Sequence, residues 1–289
     1  MKIDALKKVC VAGAGQMGRQ IALTIALHGY DVYLTDSVPA ALAQTDTWSR
    51  DYLDGRVSKG KMTSGQADAA CARFHLVPTL QQAAAGSQIV IEAILEDREI
   101  KRSFYFELGG IVGEDTILAS NSSYMVSSLF QDCVKTPSRL ANMHFFNPAL
   151  VLKLVEVVKG EHTAPDTVEL IVEFAKKIGK TPIRVNREID GFVVNRVLRA
   201  IRDEAYFLVE EGVCTPEDLD IGVELGLNHP MGPFRLLDLT GIDLNYMSME
   251  QRWKDTGIKP HGYDIAKQMY ESHLWGRKTG KGFYTYGET

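Results

Sequence analysis

The sequence predicts an α/β fold followed by an all-helical domain, with a mainly parallel sheet in residues 1–186 and helices alone in residues 187–289. Three observations predict it. Up to Val185, short apolar runs alternate with stretches of helical spacing, the pattern of strand–helix units that build parallel sheets. A glycine-rich turn separates the first apolar run from the first helical stretch. After Arg187 the apolar residues recur mainly at helical spacing.

The apolar runs place strands at Lys8–Ala12, Asp31–Thr35, His75–Val77, Gln88–Ala93, Thr116–Ser120, Leu140–His144, Leu152–Val158 and Thr181–Val185. Between the fourth and fifth, Arg98–Val112 reads as a helix. Pro165 suits the first turn of another helix, which Gly179 ends. In the second domain Gly191–Glu211 has helical apolar spacing, and Thr215-Pro216-Glu217-Asp218 reads as a capped helix start. These amphipathic stretches need a partner face, and a helical domain this small finds one in a second subunit, so a homodimer is expected.

Composition narrows the class. At 289 residues the chain is long enough for about two domains of roughly 150 residues. Its 45% hydrophobic and 24% charged content is that of a soluble globular protein. A net charge of -5 argues against a nucleic-acid partner, and an anionic substrate would need a local basic patch. Cys10, Cys71, Cys133 and Cys214 lie far apart without a C-x-x-C, so neither a metal site nor a disulfide framework is expected and a reducing cytoplasm fits. The run Val9–Gly15 is too short and glycine-broken for a secretion signal, and no run of 18 apolar residues spans a membrane.

The strand Lys8–Ala12 runs into Gly13-Ala14-Gly15-Gln16-Met17-Gly18 and then into a helical pattern, the context of a Rossmann-type dinucleotide site. Gly13 makes the tight turn, Gly15 lets the backbone approach a pyrophosphate, and Gly18 permits close helix packing. Helix N–H groups and dipole then favour the phosphates. Asp36 ends the next strand, 18 residues after Gly18, where its carboxylate accepts from the adenosine ribose hydroxyls and repels a 2′-phosphate. NAD is therefore expected rather than NADP. The alternative for Asp36 is an ordinary turn aspartate.

His144 ends the sixth strand, and Pro148 stops regular structure just after it. Alone it reads as well as a structural histidine. Twelve residues later, alternation puts Glu156 on the face of Leu152, Leu154 and Val158, where a carboxylate needs a partner such as an imidazolium. An edge strand that lets Glu156 reach solvent is the alternative. Asn195, among Val193, Val194, Val197 and Leu198, calls for a specific hydrogen-bond partner, catalytic or structural. Arg56, Lys59 and Lys61 form a basic patch that suits a coenzyme A phosphate or is simply solvated.

Four segments occur in one family's order: Gly13-Ala14-Gly15-Gln16-Met17-Gly18, Ser120-Asn121-Ser122-Ser123, His144-Phe145-Phe146-Asn147-Pro148 and Gly191-Phe192-Val193-Val194-Asn195-Arg196. With Pro230-Met231-Gly232-Pro233-Phe234 and the tail Gly276–Tyr284, the chain resembles the short-chain 3-hydroxyacyl-CoA dehydrogenases over nearly its whole length. The resemblance implies NAD-dependent interconversion of (S)-3-hydroxyacyl-CoA, such as 3-hydroxybutyryl-CoA, and 3-ketoacyl-CoA, with the site between the two domains. It implies that His144 is the general base, that Glu156 orients it, and that Ser123 and Asn195 contact the reacting part of the substrate. It also implies that Gln16, Met17, Glu92, Lys101 and Asn121 join Gly13, Gly15, Gly18 and Asp36 around the cofactor, with Glu96 beside them. Arg56 and Lys59 are assigned to the coenzyme A moiety.

The chain departs from the family pattern at Ser122, Tyr124, Met125, Asn142 and Leu150. A tyrosine next to Ser123 would reshape the acyl pocket, so chain length stays open. Two rival readings remain: a dehydrogenase of a free hydroxy acid or sugar acid, as in relatives resembling lambda-crystallin or gulonate dehydrogenase, and an NAD-binding protein without turnover. The second requires His144 and Glu156 to be apart.

Overall fold

The computed structural model describes residues 3 and 6–287. Its strands are β1 (Lys8–Ala12), β2 (Asp31–Thr35), β3 (Phe74–Leu76), β4 (Ile89–Glu92), β5 (Ile117–Ser120), β6 (Leu140–Phe145), β7 (Leu154–Val158) and β8 (Thr181–Val185). They form one sheet in the order β3-β2-β1-β4-β5-β6-β7-β8. Pairing is parallel throughout except between β6 and β7. Because β2 and β4 leave β1 on opposite sides, the strand order reverses there, and the carboxyl end of β1 borders the crevice where open α/β sheets bind ligands.

Six helices accompany the sheet: α1 (Gln16–Leu27), α2 (Pro39–Ser58), α3 (Ser64–Arg73), α4 (Leu80–Ala84), α5 (Arg98–Gly109) and α6 (Pro165–Lys177). The two sides of each central strand serve different cores. Val9, Val11, Ile89 and Ile91 pack with Ile21, Ile25, Ile171 and Phe174. Cys10 and Val90 pack with Tyr105, Leu108 and Phe130. Alternation with burial on both sides is what a parallel sheet covered by helices demands.

The chain divides into units Met1–Val193 and Val194–Thr289. The second contains α7 (Val194–Glu210), α8 (Pro216–Leu227), α9 (Pro233–Thr240), α10 (Ile242–Thr256) and α11 (Tyr263–Glu271). Tyr206, Phe234, Leu237 and Ile242 are fully buried in its core. Two of the family-like segments are structural there. Asp220 accepts from the N–H groups of Phe234 and Arg235 at the start of α9, and Asp238 accepts from those of Phe283 and Tyr284 in the tail.

Most predicted elements lie within two residues of the observed ones, and three differences have local causes. The helix expected to reach Val112 stops at Gly109, where Gly110 and Ile111 tighten onto the carbonyls of Glu107 and Leu108. Leu152 is outside β7 because its N–H is taken by the Pro148 carbonyl. The helix expected from Gly191 begins at Val194, since Gly191 (φ 71°) and Phe192 (φ 48°) are left-handed and cannot continue one. The division between units falls after Val193, just before α7.

Candidate active site

The turn after β1 explains its glycines. Gly13 has φ 100°, and a Cβ there would lie 2.4 Å from the Ala93 carbonyl oxygen. A Cβ on Gly18 would lie 1.8 Å from the Gly13 carbonyl oxygen. Gly15 differs: no protein atom lies within 4 Å of the corresponding position, so room remains beside the backbone for a ligand. Gly15 is also the N-cap of α1 and supplies no side-chain cap, which leaves first-turn N–H groups available to an anion. Gln16 is exposed and donates to Asn147 Oδ1 at 3.2 Å, while Met17 packs against the core. This arrangement fits a dinucleotide pyrophosphate.

Asp36 serves the turn as well as facing it. Its Oδ2 accepts from the Ala14 N–H at 2.6 Å and its Oδ1 from the Val38 N–H at 2.8 Å. Each oxygen keeps a second lone pair for a ribose hydroxyl. The turn role and the cofactor role are therefore compatible.

The next acidic residues behave differently from one another. Glu92 is buried in β4 and accepts from Lys101 Nζ (2.5 Å), Ser120 Oγ (2.8 Å) and the Ile94 N–H (3.0 Å). The Glu92 carboxylate is enclosed by protein donors, as a charge buried inside β4 requires. Lys101 is also buried and bridges Glu92 to Glu96, 3.1 Å away. Glu96 retains 39% side-chain exposure and accepts from Ser122 Oγ. Of the two carboxylates, Glu96 is the one open to a ligand.

Antiparallel register places His144 directly opposite Glu156. His144 Nδ1 is 2.8 Å from Glu156 Oε2, and His144 Nε2 is 2.9 Å from Ser123 Oγ. With Glu156 ionised, Nδ1 carries the shared proton and Nε2 accepts from the serine hydroxyl. The alternative in which Glu156 reaches solvent fails, since β7 lies between β6 and β8 and Glu156 is 0% exposed. The ring centres of Phe146 and Phe192 stand 4.6 and 5.6 Å from that of the imidazole.

Two clamps fix the segments beside this histidine. Asn142, two residues earlier on the same face of β6, accepts from the Ser127 N–H at 2.8 Å and donates to the Met125 carbonyl at 2.9 Å. Asn121 accepts from the Phe145 N–H at 2.9 Å. Beyond the cis Asn147–Pro148 bond, Lys180 Nζ donates to the carbonyls of Ala149 and Leu152, and burial lowers its pKa. A buried polar residue in the run Leu140-Ala141-Asn142-Met143 is the sequence signal for the first clamp; Lys180 gives none, being one of several lysines near Gly179.

Other expected residues stand on other elements. Tyr124 is 52% exposed, so its ring is turned largely to the surface. Arg56 stands in the last turn of α2 and the exposed Lys59 and Lys61 follow it, which gathers the basic patch at one helix end. Asn195 is the second residue of α7, in the second unit.

Comparison with known proteins identifies the family. Residues 8–189 match the family described as 3-hydroxyacyl-CoA dehydrogenase, NAD binding domain, and residues 191–286 match 3-hydroxyacyl-CoA dehydrogenase, C-terminal domain. The chain is 38% identical over 282 residues to a probable 3-hydroxybutyryl-CoA dehydrogenase of Deinococcus radiodurans, covering 96% of this chain and all of that one. It is similar to the crystal structure of (S)-3-hydroxybutyryl-CoA dehydrogenase from Ralstonia eutropha, with TM-score 0.89, 34% identity and coverage of 98% and 100%. A diketoreductase with substrate-directed dual catalysis of dicarbonyl compounds also matches, with TM-score 0.88, 29% identity and coverage of 97% and 99%.

Proposed function

Since this chain belongs to the 3-hydroxyacyl-CoA dehydrogenase family and is an NAD-dependent oxidoreductase, we propose that it interconverts short-chain (S)-3-hydroxyacyl-CoA and 3-ketoacyl-CoA, with His144 as general base and acid. The observation that carries the proposal is the hydrogen-bonded series Ser123–His144–Glu156 at the end of β6. NAD supplies the hydride acceptor in the oxidative direction. His144 Nε2 takes the hydroxyl proton, Glu156 stabilises the imidazolium and fixes its orientation, and Ser123 turns its hydroxyl to the substrate oxygen. Asn195 supplies a second hydrogen bond to that oxygen. Gly13, Gly15, Gln16, Met17, Gly18, Asp36, Glu92, Lys101 and Asn121 are assigned to the cofactor side, with Glu96 beside them. The reading without turnover loses its premise, because His144 and Glu156 are in contact.

The diketoreductase likeness favours one second reading, a ketone substrate without coenzyme A. Turnover with NADH on acetoacetyl-CoA against free acetoacetate separates the two. We expect kcat/KM for the thioester to be higher by about two orders of magnitude, since binding energy from a remote moiety drives the reacting centre. Equal values defeat the proposal. In the same assay Arg56→Ala with Lys59→Ala should raise KM for the thioester more at low than at high salt, as steering of an anion requires. An unchanged KM at low salt removes those residues from the site.

For the cofactor, NADH should outperform NADPH, and Asp36→Ala should narrow the ratio of kcat/KM by about tenfold by removing both the ribose acceptor and the repulsion of a 2′-phosphate. Equal use of both cofactors by the native enzyme rejects this role.

A homodimer through the second unit is supported by the exposed Ile221, Leu225 and Leu227 of α8 and Val197 of α7. A fully active monomer in sedimentation at assay concentration refutes it. No helix among the described residues is long and apolar enough to cross a membrane. The free cysteines Cys10, Cys71, Cys133 and Cys214 suit a cytoplasmic enzyme, which cell fractionation tests.

A further inference from the structure

The loop that delivers Ser123 to His144 is held from a direction the reaction itself does not explain. The loop leaves β5 at Asn121 and is fixed at its start by the hydrogen bond from the Asn121 N–H to the Glu92 carbonyl, 2.8 Å. At its far end Ser127 and Ser128 converge on one oxygen of Glu188: Ser127 Oγ donates to Oε1 at 2.7 Å and the Ser128 N–H at 2.9 Å. Ser127 is 0% exposed, so this hydroxyl has no water to replace its acceptor. His162 Nε2 lies 3.4 Å from the same hydroxyl, and desolvation lowers the His162 pKa. The space for this group exists because residue 160 is glycine; a Cβ there would meet His162 Cε1 at 2.3 Å and Glu188 Oε1 at 3.0 Å.

Glu188 belongs to the connector between β8 and α7, residues 186–193. Five residues later in that connector the Val193 N–H donates to Glu156 Oε1 at 3.0 Å. Between the two, Phe192 is 1% exposed, has φ 48° and stands 5.6 Å from the His144 ring. A non-glycine residue keeps such a conformation only where its surroundings fix it. One short segment therefore grips the carboxylate behind the histidine and the loop in front of it.

The geometry points to Glu188 as a positioning residue for the dehydrogenase reaction, one that sets the Ser123–His144 separation by anchoring Ser127 and Ser128 while its connector anchors Glu156. The inference rests on the proposed roles of Ser123 and His144. Glu188→Ala releases two donors from one oxygen and leaves the far end of the loop to the Asn142 clamp, which does not reach Ser128; displacement of a reacting group by about 1 Å costs on the order of 10²-fold in rate. Glu188→Gln keeps a carbonyl oxygen that both donors can reach.

The test measures kcat and KM with NADH and acetoacetyl-CoA, and NADH affinity by fluorescence, for Glu188→Ala, Glu188→Gln, Ser127→Ala, Ser123→Ala and the double variant Glu188→Ala with Ser123→Ala. We expect kcat to fall about 10- to 100-fold in Glu188→Ala with NADH affinity unchanged. Glu188→Gln should recover most of that loss, Ser127→Ala should lose less than Glu188→Ala because the Ser128 N–H still binds, and the double variant should match Ser123→Ala. If Glu188→Ala does not fold, Ser127→Ala carries the test, and a native kcat there overturns the proposal. A slow Ser123→Ala beside a native Glu188→Ala, losses that multiply in the double variant, or a Glu188→Gln no better than Glu188→Ala overturns the role of Glu188 alone. A native rate in Ser123→Ala overturns the role of Ser123 and this inference with it.

Discussion

His144→Gln is expected to lower kcat by about 10²- to 10⁴-fold while leaving NADH affinity unchanged, since the proton acceptor is lost and the glycine turn with Asp36 is untouched. The imidazole is held at both nitrogens, by Glu156 at 2.8 Å and Ser123 at 2.9 Å, so an amide in its place has neither the basicity nor the charged state that Glu156 stabilises. Glu156→Gln should also slow turnover, by about 10²-fold, because an amide still accepts a hydrogen bond but does not offset an imidazolium. Groups that act as a unit are non-additive, so the double variant should be scarcely slower than His144→Gln. Steady-state and fluorescence titrations measure both quantities, and losses that multiply would show two independent residues instead of a dyad. Loss of NADH binding in His144→Gln would place the histidine in cofactor binding instead.

Gly18→Ala is expected to weaken NADH binding by about 10²-fold, equivalent to ~3 kcal/mol. The new Cβ would stand 1.8 Å from the Gly13 oxygen and 2.9 Å from the Gly13 carbonyl carbon, both backbone atoms. Gly13 has little freedom to yield, because its N–H is bonded to the Thr35 carbonyl at 2.8 Å and its own Cα position faces Ala93. The turn must therefore move away from the start of α1, where the phosphates are to be received. Gly55→Ala is the matched control: it lies within α2, meets nothing within 4 Å, and should stabilise the fold slightly while leaving affinity unchanged. Native NADH affinity in Gly18→Ala would remove this turn from the cofactor site.

The two variants probe features that differ in how far they can be read from the chain alone. Gly13, Gly15, Gly18 and Asp36 are legible because the turn is local: a strand, three glycines at fixed spacing and a helix define it within a few residues. The strand periods are legible for the same reason, and β1, β2 and β8 coincide with their predicted bounds. The likeness of the whole set of segments to one family is also a property of the sequence, and the matches at residues 8–189 and 191–286 follow from it.

Other assignments depended on strand order and on side chains meeting across the sheet. Alternation put Glu156 on an apolar face, but only the β6–β7 register set it opposite His144, and only β8 on its far side denied it solvent. Glu92 and Glu96 are both carboxylates near the end of β4, and spacing gives no means of telling the buried one from the exposed one. The path of α5 decided it, because that helix brings the Lys101 ammonium onto Glu92. Asn142, Lys180 and Glu188 find their partners 15 to 61 positions away along the chain. The sequence by itself thus determined the cofactor turn, the element order and the family, all of which rest on local pattern. The tertiary structure alone decided which carboxylate faces the histidine, which is enclosed, and which holds the serine loop, because pairing between distant polar groups follows from burial and register rather than from any repeat in the chain.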